Sequence, residues 1–306
     1  MNNQFFEGEN VGKEPLVVSF SGGQSSAFMC DFLIQNYSDV YDFYFVFANT
    51  GREHEATLIF ADKVDKLFGL NLVWLEGITS NQHGVGMRHR VVSFETASRN
   101  GEPFEQLISI EGIPNVSRQK CSDYLKTQTI RHWMRCNGLT HRGWSAKTAI
   151  GMRADEPERA DRDKLSTRHF NLVYPLAHWG GFDKQDINDF WDEMPFKLNI
   201  PPHFGNCLTC FKKSDAKLYL IAHEHPEWFV WNREMEERYS MVKAIDGHTW
   251  WRRKRNTNQL VSDANLEDRQ RLIYLTNTNT DDGDGCTSSC EPFQNITNEV
   301  TEEEGL

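Results

Sequence analysis

Cys207-Leu208-Thr209-Cys210 is the sharpest chemical signal in the chain. Two thiols three positions apart can share one metal ion or one iron–sulfur cluster, or close as a redox dithiol. Pro201, Pro202 and Gly205 precede them, so the pair is expected in a loop. Cys121 opens a helical pattern, and the positive end of a helix favours a thiolate. Cys286 and Cys290 stand four apart in an acidic stretch, where a mobile thiol could attack sulfur or the two could form a merely structural pair. Cys30 and Cys136 lie inside helical patterns and read as ordinary core or surface residues. Seven cysteines without a signal-peptide pattern do not read as a disulfide framework. The eleven histidines show no HExxH spacing, which argues against a His-based zinc hydrolase.

A second signal is Ser21-Gly22-Gly23-Gln24-Ser25-Ser26, placed between a strand pattern and a helix pattern. A helix N-terminus offers unpaired N–H groups and partial positive charge, and glycines let the backbone approach an anion. The bare segment would also suit an ordinary tight turn. It contains neither GxxxxGK[ST] nor GxGxxG, so it is neither a Walker loop nor a dinucleotide fingerprint.

The elements around these residues alternate. Strands are predicted at 15–20, 42–48, 71–75 and 144–151, with a strand end at 172–176. Helices are predicted after residue 26, over 57–69 ending at Gly69, near 103–110, over 122–137, over 183–193 with Asp183 as N-cap, and at 214–224 and 226–245. Strand–helix–strand order implies βαβ units and a parallel sheet. After Pro195 the character shifts, and three regions follow: an α/β part at 1–195, a helical part with the CxxC loop at 196–275, and an acidic tail at 276–306. The formal net charge is −11, which argues against a chain coated in phosphate-binding charge. Residues 281–306 hold eight Asp or Glu and no Lys or Arg, so the tail is expected to be extended or disordered. No apolar run reaches membrane-spanning length, and the polar first fifteen residues are unlike a signal peptide, so a cytoplasmic location is expected.

The segment SFSGGQSS, with Ser19, Ser21, Gly22, Gly23, Gln24, Ser25 and Ser26, resembles the PP-loop of the adenine-nucleotide α-hydrolase-like superfamily, whose motif is SGGxDS. Ser25 replaces the Asp, as in the 3′-phosphoadenylyl-sulfate (PAPS) reductase branch. Asn49-Thr50-Gly51 resembles that family's segment at the adenosine site. Cys121 to Lys126 resembles its C-x-x-x-x-K segment. Gly151, Arg153 and Arg159 fall in a loop resembling G-x-R-x-x-E-S-x-x-R, with Pro157 in place of Ser. Tyr174-Pro175-Leu176, Trp179 and Asp186 continue the likeness, which covers roughly residues 15–215 and is nearest to the members carried by bacteriophages. Lys126, Arg153 and Arg159 suit phosphate or sulfate, the plain alternative being a solvated face paired with Asp155, Glu156 and Glu158.

The resemblance implies a doubly wound, mostly parallel Rossmann-like sheet and an adenine nucleotide, ATP or PAPS, as substrate. It implies a [4Fe–4S] cluster on Cys121, Cys207 and Cys210. Lys120 stands where related proteins carry a further Cys, so Cys286 or Cys290 would complete the set, or three cysteines would suffice. A structural zinc is the alternative. Lys126 and Cys290 are the candidate catalytic residues, although the E-C-G-(I/L)-H tail of true PAPS reductases is replaced by Ser289-Cys290-Glu291-Pro292-Phe293. Three activities stay open: reduction of an adenylyl sulfate with a thiol or other electron donor, ATP-dependent thiolation of tRNA or DNA, and non-catalytic nucleotide binding. A homo-oligomer is compatible with all three.

Overall fold

Leu16, Val17 and Val18 are all fully buried, although side chains alternate along a strand. A strand buried on both faces lies inside a sheet covered on both sides. The computed structural model, which describes residues 12–82, 84–157, 170–278 and 293, contains that sheet. Its strands are β1 (Glu14–Ser19), β2 (Tyr41–Asn49), β3 (Val73–Ile78), β4 (Arg88–Val92), β7 (Lys147–Ile150) and β8 (Leu172–Val173). A separate hairpin pairs β5 (Thr140–His141) with β6 (Trp144–Ser145). The sheet order is β4-β3-β2-β1-β7-β8; all neighbours are parallel except β4, which runs antiparallel along β3.

Helices cover both faces. Leu16, Val18, Phe45 and Phe47 meet α1 (Gln24–Tyr37), α2 (Glu55–Phe68) and α5 (Lys184–Glu193) through Phe28, Leu58 and Trp191. Val17, Val46 and Ile150 face the other way and pack on Ile130, Trp133 and Met134 of α4, which runs over residues 120–136. The middle of α4, Asp123–Gln128, is a π turn, and the Thr129 hydroxyl donates to the Tyr124 carbonyl at 3.0 Å across it. Such turns often sit at functional sites. A third core joins α3 (Glu102–Glu111) to α6 (Asp215–Glu224), α7 (Trp228–Tyr239) and α8 (Thr257–Ala264) through Phe104, Leu218, Phe229, Trp250 and Leu260. The last helix, α9, is Arg269–Thr278.

Local signals fare well where they are strong. Gly69 caps α2 in the left-handed region at φ 63°, and Asp183 forms a full capping box with Asp186 at the start of α5. Asp183→Ala is expected to lower stability by about 1 kcal/mol. A urea titration would show a lower midpoint at unchanged slope, and an unmoved midpoint would count against the cap. The strand expected over 144–151 is shorter, because Trp144–Ser145 turns away to pair in the hairpin. The helix expected over 226–245 ends at Tyr239. The helix α9 enters the stretch expected to be extended and runs to Thr278. No described helix is long and apolar enough to cross a membrane.

Candidate functional site

The chain leaves β1 for β2 on one side, while β7 pairs with β1 on the other. That reversal is a topological switch point, and open α/β sheets bind ligands at the carboxyl ends of the strands there. Three of the segments singled out in the sequence are found at this edge: Ser21–Ser26 after β1, Asn49–Gly51 at the end of β2, and Gly151–Arg153 after β7.

Gly22 has φ +83°, and a Cβ there would lie 2.6 Å from Thr57 Cγ2 and 3.1 Å from the Phe47 ring. The loop can therefore turn sharply against α2 only with glycine. Ser26 holds the turn from inside: its hydroxyl donates to the Gly23 carbonyl at 3.0 Å and accepts from the Ser21 amide at 3.1 Å. Ser21 Oγ also lies 2.9 Å from Ser26 Oγ. The helix cap at Gly23 has no side-chain hydrogen bond. Among the described residues, only the Ser21 amide of this loop is tied inward, which leaves the helix-start amides for an anion. Ser19 is buried beneath the loop, its hydroxyl without a partner. A Cβ at Gly151 would lie 3.0 Å from Ser26 Cα, so the loop after β7 is pressed directly onto this turn. Beyond it Arg153 is 8% exposed and grips Asp155 with Nε at 2.9 Å and Nη2 at 3.3 Å. The pairing with Asp155 that serves as the plain reading of Arg153 is thus present, inside a buried setting. Arg159 lies outside the described residues.

The β2 segment is a scaffold. Asn49 is fully buried; it donates to Glu76 Oε1 at 2.7 Å and to the Ser98 carbonyl at 2.9 Å, and it accepts from the Gly51 amide at 3.1 Å. The Thr50 hydroxyl and amide donate to the Glu53 carboxylate at 2.9 and 3.0 Å, and the Arg52 amide adds a third donor at 3.2 Å. Lys126 Nζ stands 3.9 Å from Glu53 Oε1, with both side chains almost wholly buried. Glu53, unremarked in the sequence, is therefore the node that fixes Lys126 relative to β2.

The CxxC loop docks onto these two segments. Leu208 N donates to the Arg52 carbonyl at 3.1 Å, and His54 N to the Asn206 carbonyl at 2.6 Å. Asn206 Nδ2 donates to the Ser21 carbonyl at 3.3 Å, joining the cysteine loop to the Ser21–Ser26 loop across 185 residues of sequence. Cys121, Cys207, Cys210 and Lys126 then line one cavity, together with Thr50, Arg52 and Trp231. Its walls are mostly apolar, with Phe104, Phe211 and Trp250, and carry two cations, Arg52 and Lys126. Arg52 is 9% exposed and lies 4.5 Å over the Trp231 ring. Burial pulls its guanidinium down to about 10, against the pull of Cys207 and Glu53, which favours the charged form. Lys213, 3% exposed, donates to the Cys207 carbonyl. Cations this close favour thiolates over thiols. Trp231 Nε1 is buried at this wall with no partner. Arg52, Glu53 and Asn206 directly adjoin the Asn-Thr-Gly and CxxC segments, which was the available clue to them. Lys213 and Trp231 left no such sign. Cys30 is fully buried and donates to the Ser26 carbonyl at 3.1 Å, and burial raises its pKa, so it is a core residue. Cys286 and Cys290 lie outside the described residues.

The sequence from 15 to 199 matches the phosphoadenosine phosphosulfate reductase domain. The chain belongs to this family. Among curated proteins it is 30% identical over 287 residues to an uncharacterized nin region protein of Escherichia phage lambda, covering 90% of this chain and 94% of that one. It is 22% identical over 257 residues to an uncharacterized protein of Methanocaldococcus jannaschii, covering 79% of this chain and 47% of that one. The expected phage-type member of the PAPS reductase branch is thereby established, and the mostly parallel sheet is the fold expected of it. The family is one of nucleotide-using enzymes related to sulfur chemistry.

Proposed function

We propose that this protein binds an adenine nucleotide at Ser21–Ser26 and performs sulfur chemistry in the adjoining cavity, with a [4Fe–4S] cluster held by Cys121, Cys207 and Cys210. The observation that carries the reading is the convergence of those three thiols, Lys126 and Arg52 on one cavity whose CxxC loop is bonded to the Ser21–Ser26 loop. The donor set suits the group: three thiols with Arg52 and Lys213 nearby, whose charges offset the negative charge that thiolates bring to a cluster. A bound cluster would supply redox poise and electrostatic stabilisation. Cys290 is the proposed fourth ligand or the nucleophile. Phe293, three residues on, is buried with its amide 2.6 Å from Thr127 Oγ1, beside Lys126.

In the reductase reaction a cysteine thiolate attacks the sulfur of PAPS. The S–O bond breaks, its electron pair leaves with the nucleotide phosphate, and an S-sulfonated cysteine forms. A second thiol then attacks the cysteine sulfur, releasing sulfite and leaving a disulfide. Lys126, with Gly22, Gly23, Gln24, Ser25, Thr50, Gly51, Gly151, Arg153 and Arg159, is proposed to hold the nucleotide. A second reading, ATP-dependent sulfur transfer to tRNA or DNA, is favoured by Ser289–Phe293, which departs from the reductase tail.

Incubation with labelled PAPS and with ATP, scoring sulfite and pyrophosphate, separates the two. Turnover of neither overturns both. Lys126→Gln is expected to cut kcat/KM for the active nucleotide on the order of 100-fold, the scale of losing one charge-stabilising donor. An unchanged rate would remove Lys126 from the site.

A further inference from the structure

A separate group of ligand-type side chains sits where the edge strand β4 meets the last turns of α4. His89 Nδ1 and His132 Nδ1 lie 2.6 Å apart. Cys136 Sγ lies 3.9 Å from His132 Nδ1 and 4.0 Å from its Nε2. One ligand atom from each of the three residues falls within 4.8 Å of the other two. His132 and Cys136 share a helix face because they are four positions apart. None of the three lines the cysteine cavity.

We infer that His89, His132 and Cys136 form a site for a borderline divalent transition metal of the zinc class, with water completing a tetrahedron. The donor chemistry selects the metal. Two imidazoles and a thiolate suit Zn²⁺ or Co²⁺, whereas Mg²⁺ and Ca²⁺ take oxygen. Tetrahedral ligation at about 2.0–2.1 Å places two ligand nitrogens about 3.3 Å apart. The rings therefore need to part by about 0.7 Å, or one must present Nε2. Neither ring is tightly enclosed and Cys136 is exposed, so this shift meets little packing resistance. The Cys136 thiolate offsets the repulsion that Arg88 and Arg135 would exert on a dication. A bound ion would clip the antiparallel edge strand to the helix that carries Cys121 and Lys126.

The test is an anaerobic titration of the reduced full-length protein with Co²⁺ alone. The expected result is a thiolate-to-cobalt charge-transfer band with tetrahedral d–d absorption, displaced by Zn²⁺. One bound equivalent should be lost in His132→Ala and in Cys136→Ser and kept in Cys207→Ser. Loss of a direct ligand should weaken binding by more than the roughly 10–100-fold that loss of an outer-shell partner costs. Zn²⁺ should also raise the Tm of Cys207→Ser but not of the double variant Cys207→Ser, Cys136→Ser. If His132→Ala does not fold, the exposed Cys136→Ser decides the matter. Wild-type stoichiometry and affinity in Cys136→Ser would overturn the site and leave an ordinary imidazole–imidazole hydrogen bond. Loss of all cobalt bands in Cys207→Ser would overturn it as well.

Discussion

Protein carrying Cys207→Ala, purified anaerobically, is expected to lose the broad visible absorption of an iron–sulfur cluster, with iron and sulfide falling to roughly a tenth of wild type or less. The reason is stoichiometric. Cys121, Cys207 and Cys210 are the thiols that line the cavity, and Cys207 is coupled to Arg52 and packed on Cys210. Removing one would leave two of the three described thiols proposed to hold the cluster. The same sample should keep its sheet, because Cys207 contributes to none of the three main cores. Far-ultraviolet circular dichroism would show that. Wild-type protein with bound zinc, and neither iron nor sulfide, would defeat the cluster. The cavity would then have a structural metal, and the redox reading would fall with it.

Gly22→Ala is expected to cost both stability and nucleotide affinity. The residue sits at φ +83°, where an L-residue costs about 1–2 kcal/mol. Its Cβ would also meet Thr57 Cγ2 at 2.6 Å, and overpacking adds about 1–3 kcal/mol. Thr57 is fully buried on α2, so it has nowhere to withdraw. The loop must either lift, spoiling the row of free amides, or push α2 outward. Both outcomes weaken nucleotide binding. Calorimetric titration with adenosine 3′,5′-bisphosphate and with ATP should show at least about a tenfold loss, one decade per 1.4 kcal/mol. A variant with wild-type Tm and wild-type affinity would show that this turn does not cradle the ligand.

What could be read locally was read well. The β1–loop–α1 unit, Gly69 as a helix stop and Asp183 as a helix start depend on neighbours within a turn, and the structure has each of them. β4 was missed because Arg88–Val92 is an exposed edge strand, whose burial pattern never settles into strict alternation. The helices α8 and α9 were missed because their buried positions, such as Leu260, Ala264 and Leu272, are few and set among polar residues. Cys136 is an exposed residue beside His132, and its grouping with His89 is not legible locally because His89 is 47 positions away on another element.

The sequence by itself determined the family, the sheet and the glycine-rich turn at Ser21–Ser26, because each is written in residue types spaced by one turn, one strand or one motif. Only the tertiary structure decided that Glu53 pairs with Lys126, that Asn206 ties the CxxC loop to Ser21, that Arg52 lines the cavity, and that Lys213 docks on the Cys207 carbonyl. Those contacts join segments between about 70 and 190 residues apart, or depend on where such segments dock. The cause is the strand order. By running β2 and β7 on opposite sides of β1, the chain gathers distant loops at one edge, and no local spacing records that meeting.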